Sequence, residues 1–299
     1  MSVIGVFASF AGGIFGAAIG ALPAFIFVGF FIIAGVAVQA AGGGTALLDT
    51  VPLGALFGPH TGGFAAGVAA AAYAARKGKL ETGRDISSAV MGLNSPDSLL
   101  IGGLFGIVGY VINWLLGLVG FAWTDTVALT VVLSAIIVRL VFGKTGAFGK
   151  PVEGMKRFAP DDTMKWLVWQ SDPIQRIAIG LGAGLMSAYI ALTLGADKGG
   201  AVLGFGFSAA SLIFLQYNTK VPVTHHITLV AAVAATASGS LIWGAAFGVL
   251  AALVGEVMAD LFLVWGDTHI DPPAATIATL TSFSLVIQAL GIYNLVTLP

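Results

Sequence analysis

The four histidines of the chain fall in or beside apolar segments, where an ionisable side chain is costly and marks a candidate functional site. Two of these segments begin with a proline, Pro59 or Pro222. Proline presets the start of a helix, whose free backbone N–H groups can face a cavity, and histidine can bond a polar substrate or relay a proton. The opposing interpretation is that the histidines cap helix ends or bond backbone carbonyls. The predicted binding residues in these segments are His60, Thr61, His225, His226 and Thr228.

Carboxylates supply a second set of candidates. Glu256 lies well inside the apolar stretch 240–264, and Asp260 follows one helical turn later on the same face. A carboxylate at this depth can take up a proton or hold Na⁺, which is what a coupling site requires. Asp49, in the glycine-rich segment 42–59 and close to His60 in the sequence, is a third candidate. Alternatively, Glu256 and Asp260 reach the membrane interface or bond a neighbouring helix.

Patterns of enzyme chemistry are not supported. Gly143-Lys144-Thr145 lacks the preceding glycine of a phosphate-binding loop, no zinc helix or nucleophile elbow is present, and the chain has no cysteine. His269 with Asp267 and Asp271 could in principle hold a metal, but a turn before Pro272 more simply joins two helices. Asp125 and Asp267, each followed by threonine, are predicted helix N-caps. We therefore expect no enzyme activity, no cofactor and no metal.

The composition requires a membrane. Hydrophobic residues make up 58% of the 299 residues and charged residues 9%, more apolar surface than one soluble core can bury. Glycine, with 42 residues, suits helices that approach closely in a bilayer. The net charge of −1, without basic clusters, argues against nucleic acid as a partner. Membrane lipid is the expected surrounding, and the N-terminal apolar run is expected to be a first span, not a cleaved signal.

Apolar stretches of bilayer length predict about ten transmembrane helices. The predicted spans are 4–22, 24–41, 60–75, 98–121, 126–143, 175–196, 199–217, 222–238, 240–264 and 273–293. Segment 42–59 is predicted to be broken or re-entrant. The polar segments 76–97 and 144–176 carry lysine and arginine and are predicted to be cytoplasmic. Within the second, 161–169 predicts an amphipathic helix at the interface, or else an ordinary linker.

An internal repeat decides the predicted architecture. Residues 98–106 align with 240–248 and, without a gap, 123–126 align with 265–268; more weakly, His60 and Val68 fall on His225 and Val233. With an odd number of spans in each half, equivalent turns lie on opposite faces, which is an inverted-topology repeat. A miscount by one span would make the repeat parallel.

The sequence therefore predicts an all-α polytopic protein with two inverted repeats, 1–143 and 174–299, joined by a cytoplasmic linker, 144–173. Its expected function is that of a proton- or sodium-coupled permease of a small polar solute in the cell (plasma) membrane, with the site between the repeats near the midplane. The alternatives are a passive channel and, from another class, a membrane-embedded enzyme or a subunit of a larger complex. Glycine-rich faces permit a homo-oligomer. The plan is similar to urea-channel-like and secondary-transporter folds, an analogy that does not carry function.

Overall fold

The computed structural model describes residues 1–295, and this part of the chain is all-helical, without a β-strand. The last four residues of the predicted second repeat, 296–299, lie outside the described residues. The helices are α1 (Val3–Ile19), α2 (Ala21–Ala40), α3 (Ala46–Thr50), α4 (Ala65–Arg76), α5 (Pro96–Leu118), α6 (Thr126–Phe142), α7 (Pro173–Leu194), α8 (Gly200–Ser211), α9 (His225–Ser238), α10 (Leu241–Phe262), α11 (Pro272–Ala289) and α12 (Ile292–Leu295).

Ten of these helices, all except α3 and α12, fall at the positions of the predicted spans. Five segments are long and apolar enough to cross a membrane: α2, α5, α7, α10 and Gly200–Tyr217, in which α8 continues as a 3-10 helix. Shorter apolar helices are α1, α6 and α9. These five apolar segments could span a bilayer, which indicates a membrane protein.

Close contacts through glycine join the longest helices in antiparallel pairs. On α5, Gly102 faces Ala17 of α1, and Gly106 lies against Ser9 and Gly13. On α10, Gly244 faces Ala188 of α7, and Gly248 lies against Gly180 and Gly184. In a bilayer, apolar side chains gain little by leaving lipid, so helix association depends on such close packing.

Two short helices begin inside the bundle. α4 has 12 residues and α9 has 14, which gives lengths of about 18 and 21 Å, less than the roughly 30 Å hydrocarbon core of a bilayer. The chain before each is not α-helical: residues 51–64 form turns, and residues 218–224 have no regular structure. Most of the alanines along both helices are buried, so neighbouring helices approach them closely. Both helix starts are therefore broken-helix ends within the protein.

Four connecting segments meet at one end of the bundle, which we call the linker face: 77–95, 143–172, 218–224 and 263–271. The His269 N–H donates to the Gly83 carbonyl at 3.2 Å, the Gln170 side chain donates to the Val223 carbonyl at 3.1 Å, and Lys144 N–H donates to the Asp267 carboxylate at 2.6 Å. The opposite end, here the far face, holds the turns 119–125 and 195–199.

Arg139 joins α6 to the linker and to the end of α10 and the following segment through hydrogen bonds. Its side chain is fully buried near the end of α6 and donates to the Thr268 hydroxyl and carbonyl and to the carbonyls of Phe262 and Ala147, at 2.5–3.0 Å. A buried guanidinium needs such complete pairing, because each unmatched N–H would remain desolvated.

The predicted interfacial helix at 161–169 is absent: residues 162–164 form a turn and Val168–Gln170 a single 3-10 turn. The reason is that its tryptophans have protein partners. Trp166 packs against the cluster of Ala259, Val264 and Trp265, and the Trp169 indole N–H donates to the Val221 carbonyl at 3.0 Å. These two tryptophans hold the segment against the helical bundle.

Of the two predicted N-caps, Asp125 is confirmed: it caps α6 by accepting the Ala128 N–H at 2.8 Å. The prediction for Asp267 is wrong, because α11 starts at Pro272 and is capped by Asp271, which accepts the Ala274 N–H at 2.8 Å. Asp267 instead accepts hydrogen bonds from Lys144 and Thr145 of the linker. The Lys144 backbone N–H and the Thr145 hydroxyl therefore occupy the Asp267 carboxylate, which is not available to cap α11.

The glycine contacts predict opposite effects of one small substitution at different positions. Gly106→Ala and Gly248→Ala should lower stability by roughly 1–3 kcal/mol, because the new Cβ atoms would meet the carbonyl oxygens of Ser9 and Gly180. Gly117→Ala, on α5 with open space around it, should be neutral or stabilising by up to about 1 kcal/mol through helix propensity. Thermal unfolding of the purified protein in detergent measures the difference. A midpoint for Gly106→Ala at or above that of Gly117→Ala would contradict this packing.

Candidate functional site

A cavity of about 400 Å³ lies between the two halves of the chain. This is the size of small-molecule sites. One wall comes from α2 and α8 and the opposite wall from α6 and α11, and the segments leading into α4 and α9 contribute Pro59, Phe64 and His225. The wall residues are Leu22 and Phe25, Val202 and Phe205, Ala128 and Val131, and Ala274 and Ile277. We call it the central cavity.

The polar groups of the central cavity are few. Asp125 and Asp271, the N-caps of α6 and α11, both line it, together with Ser87, His225 and His269. His269 Nε2 lies 3.3 Å from Asp271 Oδ1. No lysine or arginine lines the cavity among the residues that the structure describes. Its lining therefore combines apolar walls with two carboxylates and two imidazoles.

His225 is the first residue of α9 and lies among aromatic rings. Its ring centroid is 4.7 Å from that of Phe25 and 6.0 Å from that of Phe205. Only 6% of the residue is exposed, and its Nδ1 has no hydrogen-bond partner among the described atoms. A buried imidazole nitrogen without a partner is costly unless a ligand or water supplies one.

His226 does not line the central cavity. Its ring lies 6.2 Å from that of Trp166 and against Gly255, where an added Cβ would stand 2.8 Å from Nε2. Thr228 is buried further along α9, and its hydroxyl donates to the carbonyls of Thr224 and His225. Both residues therefore stand behind the cavity wall, where they support α9.

His60, which the repeat pairs with His225, is buried in the turn before α4 and does not itself line the cavity. Its Nδ1 has no partner within residues 1–295, and its carbonyl lies against Gly109 of α5. The Thr61 hydroxyl donates to the Gly58 carbonyl at 3.2 Å. Pro59 and Phe64 in the same turn segment line the cavity, so the chain before α4 contributes to the wall although His60 does not.

The predicted carboxylates are not brought to the central cavity. Glu256 lies toward the linker face, where its side chain pairs with Arg176 at 3.9 Å. Asp260 is buried nearby and its Oδ1 has no partner among the described groups. Asp49 is exposed in α3 and accepts the Thr45 hydroxyl at 2.6 Å. Of the eight predicted binding residues, only His225 lines the cavity.

A second cavity of about 260 Å³ lies on the linker face, between the loops 77–95, 143–172 and 263–271. Ile86, Trp166 and His269 line both cavities and so form their common wall. Arg84 and Lys165 line only the second one. The Lys165 ammonium donates to Asp162 at 2.7 Å, a hydrogen bond that raises the pKa of Lys165 and keeps it charged.

Sequence reasoning missed the phenylalanines of the wall and assigned Asp125 to capping alone. Phenylalanine within an apolar span carries no signal that separates cavity-facing from lipid-facing positions. The repeat as aligned pairs Asp125 with Asp267 and so did not point to Asp271, although Asp125 and Asp271 each precede the last long helix of their half. Asp267 bonds the linker, so His269, Asp267 and Asp271 do not form one ligand set.

Comparison with known proteins identifies one family. The model of the family of unknown function DUF7973 matches residues 1–164 and again residues 153–298. No curated protein and no solved structure matches the chain. The two matched ranges together cover nearly the whole sequence.

The central cavity predicts selective cysteine labelling, which the cysteine-free chain makes straightforward. Ile277→Cys, on the cavity wall, should react with a small uncharged thiol reagent in the detergent-purified protein. Ile227→Cys is the matched control, because Ile227 is fully buried in α9 and lines neither cavity. Mass spectrometry measures the labelled fraction over time. Equal rates at the two positions would show that no accessible space lies beside Ile277.

Proposed function

The chain belongs to the family of unknown function DUF7973, and we propose that it is a cell-membrane permease that carries a small solute through the central cavity between two inverted repeats. The repeats are 1–143 and 174–299, joined by the linker 144–173. The observation that carries the proposal is the central cavity itself, whose walls are built from corresponding helices of both halves. Sites of this kind, at the interface of repeats with broken helices, are typical of secondary transporters.

The first support for the repeat is that corresponding helices have corresponding neighbours. We equate α1, α2, α4, α5 and α6 with α7, α8, α9, α10 and α11. The contact of α1 with α5 then matches that of α7 with α10, and the contacts of α4 with α5 and α6 match those of α9 with α10 and α11. The glycine pairs agree residue by residue: Gly102 on Ala17 matches Gly244 on Ala188. The family model also matches each half separately.

The second support concerns orientation. The extensive helix contacts between the two halves are those of α2 with α8 and of α6 with α11, each helix meeting its own counterpart. Both pairs run antiparallel: Gly29 lies near Gly206 whereas Gln39 bonds Asp197, and Asp125 bonds Thr281 whereas Arg139 bonds Thr268. Elements related by a twofold axis run antiparallel only when the axis is perpendicular to them. For membrane-spanning helices, that axis lies in the membrane plane, which favours an inverted repeat over a parallel one.

The residues that line the cavity narrow the class of solute that would fit it. Phenylalanine, leucine and other apolar side chains dominate the cavity, so a solute with an apolar body and a polar group fits it better than a wholly polar one. Glu256 pairs with Arg176 and lies outside the cavity. Proton or Na⁺ coupling is therefore proposed as a property of the whole protein without assigning it to Glu256.

The inverted repeat predicts which loops share a side of the membrane. Exposed positions Trp123 and Asp197 belong to the far face, and Glu153 and Thr219 to the linker face. A single cysteine at each position should therefore react with a membrane-impermeant thiol reagent in two sets, one from each side of sealed vesicles of known orientation. Reaction of Trp123→Cys and Thr219→Cys from the same side would reject the five-plus-five inverted plan.

Transport itself is tested with the Ile277→Cys protein in proteoliposomes. Uptake from a panel of amines, amides, polyols and small carboxylates should exceed that of empty liposomes for at least one solute. Modification of Ile277→Cys with a bulky maleimide should abolish most of this uptake, because the adduct occupies the cavity. The same reagent applied to Trp123→Cys, on the far-face turn, is the control for non-specific damage.

Imposed gradients then separate the two transport mechanisms. Uptake that a pH or Na⁺ gradient drives indicates a coupled permease, and uptake indifferent to both indicates a passive channel. If no solute crosses while a known transporter reconstituted in parallel is active, the permease proposal fails. The search would then turn to an enzyme or complex subunit, through co-purifying lipid products or partner chains.

A further inference from the structure

We infer that the ligand of the central cavity is a small organic cation, an ammonium group on an apolar body. This inference rests on the proposed function, because it names the solute class of the same cavity. It follows from the charge of the lining, from its aromatic walls and from one unpaired nitrogen.

The charge of the lining is one-sided. Asp125 and Asp271 contribute carboxylates; Asp271 lies 3.3 Å from the His269 imidazole, and no lysine or arginine is present among the described lining residues. Arg139, the fully buried cation of α6, directs its N–H groups to Thr268 and to backbone carbonyls and is not part of the wall. A carboxylate in an apolar cavity is costly without a positive partner, and a cationic ligand would supply one.

An anionic ligand has no comparable support. Helix N-termini are the usual alternative to basic side chains for holding an anion in a membrane protein. Those of α6 and α11 face the cavity but are already capped by the carboxylates of Asp125 and Asp271. An anion there would meet negative charge in place of free N–H groups.

The walls suit the body of such a cation. Phe25 makes edge contacts with Phe64 and Phe205, with ring centroids 5.8 and 5.7 Å apart, and Trp166 lines the same cavity. Aromatic rings attract cations through their faces and bury apolar groups as well. The aromatic side chains would therefore attract the ammonium group between the two carboxylates and bury the apolar body of the ligand.

His225 adds the independent observation. It is 94% buried, lines the cavity, and its Nδ1 has no partner among the described residues. The unprotonated nitrogen of a neutral imidazole accepts a hydrogen bond, which a primary ammonium can donate. The neighbouring Phe25 and Phe205 rings carry no nitrogen or oxygen acceptor.

The test compares three ligands of similar size that differ in head group: phenethylamine, phenethyl alcohol and phenylacetate. Isothermal titration calorimetry on the purified protein at neutral pH should show binding of phenethylamine, the protonated one, in preference to the other two. Asp125→Asn and Asp271→Asn should each raise its Kd about tenfold, because each removes a charge from the wall. Asparagine also caps helices, so the two variants keep the N-terminal hydrogen bonds of α6 and α11.

Asp172→Asn is the matched control, because Asp172 caps α7 in the same way but is exposed and outside the cavity. Its Kd should equal that of the wild type. Tighter binding of phenylacetate, equal binding of all three ligands, binding of none, or an unchanged Kd in both cavity variants would overturn the inference. Amine binding without uptake in proteoliposomes would leave the ligand class standing and reject transport, whereas maleimide-sensitive uptake of other solutes without amine binding would do the reverse.

Discussion

The fold depends on close backbone approach where glycine replaces a side chain. Lipid solvates leucine as well as a protein core does, so helices in a bilayer associate through packing and not through burial alone. The contacts of α1 with α5 and of α7 with α10 meet this requirement through Gly106 and Gly248. The short helices α4 and α9 then pack on α5 and α10, which determines where their starts, and hence the walls of the central cavity, can lie.

The linker face is where the two halves stop being alike. Loop 77–95 and the linker 143–172 have no counterparts of similar length on the far face. Their side chains Ile86 and Trp166 cover the central cavity and separate it from the second one. For the proposed permease, this arrangement means that the barriers at the two sides of the cavity are built from unrelated residues.

Helix positions were predictable from the sequence because apolar run length is a direct consequence of bilayer thickness. All ten predicted spans contain a helix, even the short α4 and α9. The contacts that individual side chains make were harder to predict. Trp166 carries the amphipathic signature of an interfacial residue, yet it is only partly exposed and packs within the protein. Asp267 and Asp271 are equally good caps by residue type, and only the path of the linker decides between them.

The site was predictable only in part for the same reason. Ionisable residues in apolar runs stood out, but their depth and direction depend on tertiary contacts. His225 lines the cavity, whereas Glu256 pairs with Arg176 and Asp49 is exposed.

Arg139 links the assembly of the helices to the order in which the chain is synthesised. Its acceptors Phe262 and Thr268 lie 123 and 129 residues further along the chain. At roughly 5–20 residues per second, α6 waits about 6–25 s for them on the ribosome. During that interval the guanidinium must be solvated by water, lipid headgroups or the insertion machinery, so its final hydrogen bonds form only after α10 has been synthesised.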